Sequence, residues 1–298
     1  MGPTSWDDTR SSSSVVPTGV RLAAVALGLA EEPLAAFGGA TGSTWACGEG
    51  VLRIGDAEDL RREMLVMQAA AHAVPVPEVL AMKEFVDDQE QPAAALLLTL
   101  LPGRPAGDFA GLSPARVRRW GEVCGRVHAA LAKVSPPPGL RAAPAVPVSQ
   151  AGMAPCLLHL DLHPLNVLVN EAGDVSGVLD WTNAAAGPEV LDRARTWSIL
   201  TLDPAIMPLH DEPRCAALLE GWTHTANFAR LPPSARAWAC RFMLDDLAAR
   251  YPASRLDHIR RCLTENDDGG TCELVDRVAV PGRRSAGPAG ATCAGHEA

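Results

Sequence analysis

Apolar positions in the first hundred residues come in short runs separated by Gly and Pro, a pattern that predicts alternating strands and helices. Between residues 57 and 72 the apolar side chains recur at i, i+4, i+7 and i+11, so they share one helical face. That face comprises Leu60, Met64, Met67 and Ala71. We also predict a helix near 20–35, strands over 51–54 and 93–101, and a strand over 74–80 whose two prolines favour a sheet edge. The simplest assembly of these elements is a small mixed sheet with one helix.

After Pro102-Gly103 the pattern becomes helical. Ser113 and Pro114 are a standard N-cap and first helical residue, and they precede a buried stripe on a helix of about five turns. The stripe comprises Val117, Trp120, Cys124, Val127 and Leu131. Further helices are predicted over about 213–229 and 233–249, and a Pro- and Ala-rich loop over 135–155. Residues 1–17 are Ser-rich and residues from about 265 are rich in Gly, Ala and Pro, so we expect disorder at both ends.

Composition narrows the class of protein without naming an activity. A hydrophobic share of 47% in 298 residues predicts a globular core, and a net charge of -9 argues against binding to nucleic acid. The eight cysteines form no CxxC pair, which favours reduced thiols in a cytoplasmic protein. The N-terminus lacks a basic secretory region, and the longest apolar runs, 22–30 and 93–101, are far shorter than the roughly 20 residues that span a bilayer. We therefore expect no membrane partner.

One segment carries a recognisable chemistry. His159-Leu160-Asp161-Leu162-His163-Pro164-Leu165-Asn166 is followed by the strand 167–169, a turn at 170–174 and a second strand over 175–179 that ends at Asp180. Asn166 lies seven residues before Gly173 and Asp180 seven after it, so a hairpin centred on the glycine places their oxygens opposite each other. Mg²⁺ on a nucleotide phosphate prefers such oxygen ligands. The spacing therefore predicts a Mg²⁺ site formed by Asn166 and Asp180.

Asp161 precedes Asn166 by five residues and would lie beside that metal, where a carboxylate accepts the proton of an incoming hydroxyl. The alternative is that all three residues serve turns and caps, as Asp and Asn often do. For a single Asp, a role in a turn or cap is the better interpretation. The joint spacing of Asp161, Asn166 and Asp180 favours the catalytic interpretation instead.

The string HxDxxxxN, a short hairpin and an Asp resembles the catalytic and metal loops of protein kinases. HLDLHPLNVLV followed by GVLDW resembles more closely the aminoglycoside phosphotransferase family, which is related to choline kinases. That resemblance implies an α+β, bilobal protein-kinase-like fold, with an N-lobe over 18–101 and a helical C-lobe over 102–264. It implies Asp161 as catalytic base, Asn166 and Asp180 as metal ligands, and ATP and Mg²⁺ as cofactors. His159, His163 and Asp192 match residues that support the loop.

The resemblance continues upstream of the catalytic segment. Gly38, Gly39 and Ser43 match a loop that covers the nucleotide. Arg53 stands where kinases carry a phosphate-binding lysine, and Glu63 matches the partner that holds this cation. The run that contains Thr99 and Leu100 resembles the hinge that contacts adenine. The alternative for Arg53 and Glu63 is a strand end and a helix face exposed to solvent.

The function implied is transfer of the γ-phosphoryl group of MgATP to a hydroxyl of a small molecule, such as an aminoglycoside, another antibiotic or an amino alcohol. The second hypothesis is a catalytically impaired, nucleotide-binding sensor. Leu160 departs from the family, which usually has Gly there, and this change implies reduced turnover or an altered approach to Asp161. The acceptor is left open. A set of carboxylates in the helical half either binds an ammonium group or lies on solvated helix faces. The set comprises Asp211, Glu212, Glu220, Asp245 and Asp246.

Overall fold

The computed structural model describes residues 16–37 and 43–269. The strands are β1 (Leu34–Ala36), β2 (Thr44–Cys47), β3 (Gly50–Gly55), β4 (Val79–Val86), β5 (Pro92–Thr99), β6 (Arg104–Pro105), β7 (Cys156–Leu158), β8 (Val167–Val169), β9 (Val175–Val178) and β10 (Ala185–Gly187). The helices are α1 (Thr18–Ala26), α2 (Ala57–Ala70), α3 (Pro114–Leu131), α4 (Glu189–Leu202), α5 (Pro213–Ala226), α6 (Pro233–Leu247) and α7 (Asp257–Asp267). None of the helices in these ranges is long and apolar enough to span a bilayer.

The first half of the chain forms a five-stranded sheet in the order β1-β2-β3-β5-β4. Every pairing in it is antiparallel, so the expectation of a mixed sheet was wrong. Because β2 joins β3 and β4 joins β5 through short turns, the chain makes no parallel crossover between these strands. The strand predicted over 74–80 was wrong for most of its length, since β4 begins at Val79, after both prolines. β4 itself lies at the sheet edge.

Helix α2 packs on this sheet and is capped by Asp56, whose side chain accepts hydrogen bonds from the amides of Glu58 and Asp59. Its buried face differs from the predicted apolar stripe by a small rotation. Leu60 and Met67 are buried as expected, whereas Ala71 is exposed. The charged Glu63 is buried in its place, with 5% of its surface exposed. A buried carboxylate needs a partner, and the sheet supplies one.

The helical half centres on the packed pair α3 and α5. Ser113 caps α3 by accepting the amide of Arg116, with Pro114 as the first helical residue, as predicted. The two helices touch at reciprocal glycines: a Cβ at Gly121 would lie 2.1 Å from the Leu218 carbonyl oxygen, and a Cβ at Gly221 would lie 2.1 Å from that of Arg118. Only glycine allows so close a backbone approach.

Other elements differ from the sequence prediction. The first helix ends at Ala26 because Gly28, with φ +76°, turns the chain toward β1. Helix α4 was not predicted, since nearly all its residues are buried and no polar face marks it. Helix α7 was also missed, and it continues to Asp267, so the chain is helical past the predicted start of the disordered tail. The loop over 135–155 is confirmed, with one 3-10 turn at Val148–Gln150.

Candidate active site

Strands β8 and β9 form the predicted hairpin, but its register is shifted by one residue. Val167 pairs with Val178, and the amide of Leu179 donates to the carbonyl of Asn166 at 2.8 Å. Asp180 therefore lies one residue beyond the position opposite Asn166. The shift arises because the turn is centred on Ala172, with Asn170 paired to Asp174, and not on Gly173. An extra β9 residue between Leu168 and Val169 recovers one of the two residues of offset. The prediction that Asn166 and Asp180 face each other directly was wrong by this single residue.

Asp161 and Asn166 are joined by the loop that connects β7 to β8. The Asn166 side-chain amide, through Nδ2, donates to the Asp161 carbonyl at 3.0 Å. This bond occupies Nδ2, and none of the described residues donates a hydrogen bond to Oδ1. Oδ1 is thus the atom of Asn166 left for a cation.

Two histidines brace this loop. His159 is fully buried; its Nδ1 accepts the amide of Asp161 at 3.2 Å and its Nε2 donates to the Leu179 carbonyl at 2.9 Å. These bonds tie the loop to the end of β9. His163 accepts the amide of Leu165 at 3.2 Å, and its Nε2 lies 3.9 Å from Asp161 Oδ1. Burial lowers the pKa of His163, and the Asp161 carboxylate offsets part of this effect. His163 is therefore neutral at pH 7.

Leu160 adopts a left-handed backbone conformation, with φ +60°. This explains why a glycine suits the position: an L side chain there costs roughly 1–2 kcal/mol. The Leu160 side chain is 1% exposed, so its packing offsets the strain. It points into the core, and Asp161 keeps the contacts described above.

Asp192, on the first turn of α4, binds the backbone amide of Leu160. Its Oδ1 accepts the amides of His159 and Leu160, both at 2.8 Å, and its Oδ2 lies 2.8 Å from His128 Nδ1. His128 Nε2 in turn accepts Trp222 Nε1–H, so Nδ1 carries the proton given to Asp192. Burial raises the pKa of the Asp192 carboxyl, but the bonds from His128 and Leu160 outweigh it, and the net pKa lies below the ordinary value.

Arg53 on β3 crosses from the sheet to the metal loop. Its Nη1 lies 3.0 Å from Glu63 Oε1 and 3.5 Å from Asp180 Oδ1, and its Nη2 donates to Thr182 Oγ1 at 2.9 Å. Burial raises the pKa of Glu63, and Arg53 works against that rise. Burial also raises the pKa of Asp180, but Arg53 and Thr182 bring the net pKa below its usual value. Glu63 is thus buried and Arg53 partly buried at the site, so the two are not solvated surface charges.

The remaining predicted nucleotide contacts are less complete. Gly38 and Gly39 lie outside the described residues. Ser43 comes directly before β2, where its carbonyl accepts the amide of Ile54, so the end of the Gly-rich segment lies beside Arg53. The amide and hydroxyl of Thr99 are engaged by Glu78, which leaves the exposed neighbour Leu100 as the better hinge candidate.

The oxygens at this site suit Mg²⁺ carried by a nucleotide. Among residues 16–37 and 43–269 no three His, Cys, Asp or Glu side chains cluster as a closed metal site. Asn166 Oδ1 and the Asp180 carboxylate, which is 46% exposed, supply two oxygens and leave the other positions open. Mg²⁺ bound mainly by water and phosphate needs no more from the protein.

Several residues beside the site escaped the sequence analysis. Thr182 links Arg53 to Asp180, and Arg141 donates to the Thr182 carbonyl at 3.0 Å. Arg195 and Thr196 on α4 bind the carbonyls of Leu160 and Leu162. Three candidate acceptor carboxylates are occupied by the protein itself: Glu212 caps α5, Glu220 pairs with Arg118, and Asp246 pairs with Arg195 and Arg250. No local sequence signal marks such long-range partners.

Comparison with solved structures finds the same fold in antibiotic kinases. The amicoumacin kinase hAmiN, solved with AMP-PNP, Ca²⁺ and Ami, is 13% identical, with a TM-score of 0.55 over 82% of this chain and 91% of that one. Wild-type aminoglycoside 2'-phosphotransferase-IIIa in its GDP complex is 11% identical, with a TM-score of 0.54 over 84% and 97%. APH(3'')-Id from Streptomyces rimosus ATCC10970 is 15% identical, with a TM-score of 0.51 over 70% and 90%. These identities establish the fold alone.

No curated protein sequence matches the chain. The model of the phosphotransferase enzyme family, APH, matches residues 38–148 and 140–238, which together span more than half of the chain. The α+β protein-kinase-like fold and the enzyme class expected from the sequence are confirmed. The chain belongs to the phosphotransferase enzyme family.

Proposed function

We propose that the protein transfers the γ-phosphoryl group of MgATP to a hydroxyl of a small molecule, with Asp161 as the catalytic base. The observation that carries the proposal is that two contacting pairs, Asp161 with Asn166 and Asp180 with Arg53, meet where the Asn166 carbonyl accepts the amide of Leu179. Asn166 binds the Asp161 backbone, and Arg53 reaches Asp180 from the sheet. If these residues served only in turns, the guanidinium of Arg53 would not need to lie beside the carboxylate of Asp180.

Each group has a role that its surroundings support. Asp161 accepts a hydrogen bond from the attacking hydroxyl, orients it toward the γ-phosphorus and takes up its proton. Asn166 and Asp180 hold Mg²⁺, which when bound neutralises charge on the phosphate oxygens. Arg53 binds phosphate oxygens, and Glu63 fixes its guanidinium by the contact at 3.0 Å. Ser43 and Leu100 border the nucleotide, at the covering segment and at the hinge.

The acceptor class we propose is a polyhydroxylated, amine-bearing molecule such as an aminoglycoside, a related antibiotic or an amino alcohol. The fold neighbours are named for amicoumacin and aminoglycosides, which supports this class without choosing a member. Of the five carboxylates considered for an ammonium group, Asp211 and Asp245 are exposed and carry no ion pair among the described residues. They are the better candidates for binding an amine.

The test is an ATP-consumption screen against aminoglycosides, amicoumacin-type antibiotics, macrolides and amino alcohols, with Asp161→Asn as the blank and GTP as a second donor. We expect Mg²⁺-dependent phosphorylation of at least one acceptor by the wild-type protein and none by the blank. MgATP binding without transfer to any acceptor in the panel would reject the proposal in favour of a nucleotide-binding sensor.

A further inference from the structure

Arg195, on α4, lies behind the proposed catalytic base. Its side chain is 3% exposed, its Nε donates to the Leu160 carbonyl at 3.3 Å, and its Nη2 donates to Asp246 Oδ2 on α6 at 2.7 Å. The ring of Phe242, also on α6, packs against the guanidinium at 4.8 Å from its centroid. One buried cation therefore joins two helices to the residue that immediately precedes Asp161.

Leu160 is held at both ends of its backbone by the same face of α4. Its amide donates to Asp192 and its carbonyl accepts from Arg195, two residues that are one helical turn apart. A buried residue in the left-handed conformation persists only when its surroundings fix it. In the peptide between Leu160 and Asp161, the N–H donates to His159 Nδ1 at 3.2 Å and the oxygen accepts from Arg195 Nε at 3.3 Å. The Arg195 bond is therefore the one that fixes the oxygen of that peptide.

The charge of Arg195 also reaches the base itself. Burial lowers the pKa of the guanidinium, and the carboxylates of Asp246 and Asp161 work against that change, which places Asp161 within its field. Nη1 is buried and has no hydrogen-bond partner among the described residues. A buried guanidinium that faces two carboxylates stays charged, so it attracts the Asp161 carboxylate as well as holding its backbone.

We propose that Arg195 is a positioning residue for phosphoryl transfer, which fixes the Leu160–Asp161 peptide and orients the Asp161 carboxylate toward the acceptor hydroxyl. The inference rests on the proposed function. It predicts that loss of Arg195 lowers turnover far more than it lowers nucleotide affinity, because no contact of Arg195 reaches the Arg53 side of the site.

Arg193 is a matched control on the same helix. It also binds one carbonyl and one carboxylate, those of Ala226 and Glu189, and it also has a buried nitrogen without a partner. It makes no contact with the 159–166 loop. The two arginines differ in whether they touch that loop and in burial, since 21% of the Arg193 side chain and 3% of the Arg195 side chain are exposed.

The experiment compares Arg195→Met, Arg195→Lys and Arg193→Met for kcat, acceptor KM and ATP Kd. Misplacement of a reacting group by about 1 Å lowers rates roughly 100-fold, so we expect kcat to fall about 100-fold in Arg195→Met, with ATP Kd within about twofold. Arg195→Lys should recover about tenfold of that loss, and Arg193→Met should stay within about threefold of wild type. Equal kcat in the two methionine variants, or a loss in ATP affinity that matches the loss in kcat, would overturn the inference.

If Arg195→Met does not fold, Asp246→Asn removes the anchor of Arg195 with little change of shape. Asp267→Asn is its control, because it breaks an exposed ion pair with Arg241 on the same helix α6. We expect kcat about tenfold lower in Asp246→Asn alone, a smaller loss because the Leu160 contact remains. Should wild type phosphorylate no acceptor, the proposed function fails and hydrogen exchange tests the positioning by itself. Faster exchange over 159–166 in the Asp246 or Arg195 variant than in its control supports the inference; equal exchange rejects it.

Discussion

The carboxylate of Asp192 accepts the backbone amide of Leu160 at 2.8 Å, so a buried helix fixes the residue that precedes the proposed base. The same carboxylate accepts the amide of His159 and the Nδ1 proton of His128. Asp192→Asn converts one of these acceptors into a donor that faces His128. We expect the free energy of unfolding to fall by about 2–4 kcal/mol at pH 7, the usual size for loss of buried bonds to a charged group.

The pH dependence of that loss follows from the lowered pKa of Asp192. The unfolded state binds the proton more tightly than the folded state, so the ionised carboxylate stabilises the fold above its unfolded pKa of about 3.9. This stability disappears as the pH falls through the lower folded pKa. Urea unfolding from pH 3 to 7 should show the difference between wild type and Asp192→Asn shrink on acidification. The exposed Glu189→Gln on the same helix is the control, and a difference that stays constant with pH would contradict the prediction.

The left-handed conformation of Leu160 predicts an unusual order of two substitutions. Leu160→Ala and Leu160→Gly both lose a buried side chain, at about 2–5 kcal/mol, but only alanine keeps the strain of positive φ. We expect the glycine variant to be at least as stable as the alanine variant, by up to about 1 kcal/mol. At Leu162, buried in the same loop without positive φ, alanine should be the more stable of the two. Urea unfolding measures the stability of all four variants. If the glycine and alanine variants rank in the same order at Leu160 and Leu162, positive φ at Leu160 does not explain the result.

The Arg53–Glu63 pair predicts a stability that declines as the pH rises. The pKa of Glu63 is raised by burial, so the folded state holds its proton more tightly than the unfolded state does. Its contribution is complete below the unfolded pKa of about 4.3 and is lost as the pH rises through the folded pKa. Arg53→Met removes the opposing charge, so we expect it to destabilise the protein more at pH 8 than at pH 5. In Arg53→Met/Glu63→Gln this pH dependence should be absent, and its persistence would show that another group is responsible.

Asp180 is expected to set the Mg²⁺ requirement. Asp180→Asn removes the charged ligand while Asn166 remains, and we expect the Mg²⁺ concentration for half-maximal phosphoryl transfer to rise by at least about tenfold. Asp174→Asn, an exposed change in the turn of the same hairpin, should leave it unaltered. The Mg²⁺ concentration for half-maximal rate is measured for both variants by titration at saturating ATP. If Asp180→Asn and Asp174→Asn need the same Mg²⁺ concentration, Asp180 is not a ligand.

The sequence was most informative where local signals decide the structure. Ser113-Pro114 predicted the start of α3, and the turn with Gly173 predicted the β8–β9 hairpin. The hairpin was misplaced by one residue because the turn is centred on Ala172 and not on Gly173, and the pairing irregularity beyond it leaves no mark in the sequence spacing.

Other features depend on contacts between distant parts of the chain. Helix α4 lacks a polar face because it is buried on nearly all sides, so periodicity did not reveal it. The bond between Arg195 and Leu160 spans 35 residues, and the ion pair between Arg195 and Asp246 spans 51. Such partners are chosen by packing in the folded chain. Motif spacing could predict Asp161 and Asn166 within one loop, but not the helix that supports them.

Transfer of phosphate by Asp161 is tested most directly by single-turnover phosphorylation of an acceptor found in the screen. Asp161→Asn keeps the shape of the side chain but removes the proton acceptor, and Asp174→Asn is the exposed control. We predict that ATP Kd stays within about twofold of wild type in both variants, while the transfer rate falls by about 10²–10⁴ in Asp161→Asn only. A transfer rate in Asp161→Asn equal to that of Asp174→Asn would contradict the assignment of Asp161 as the base.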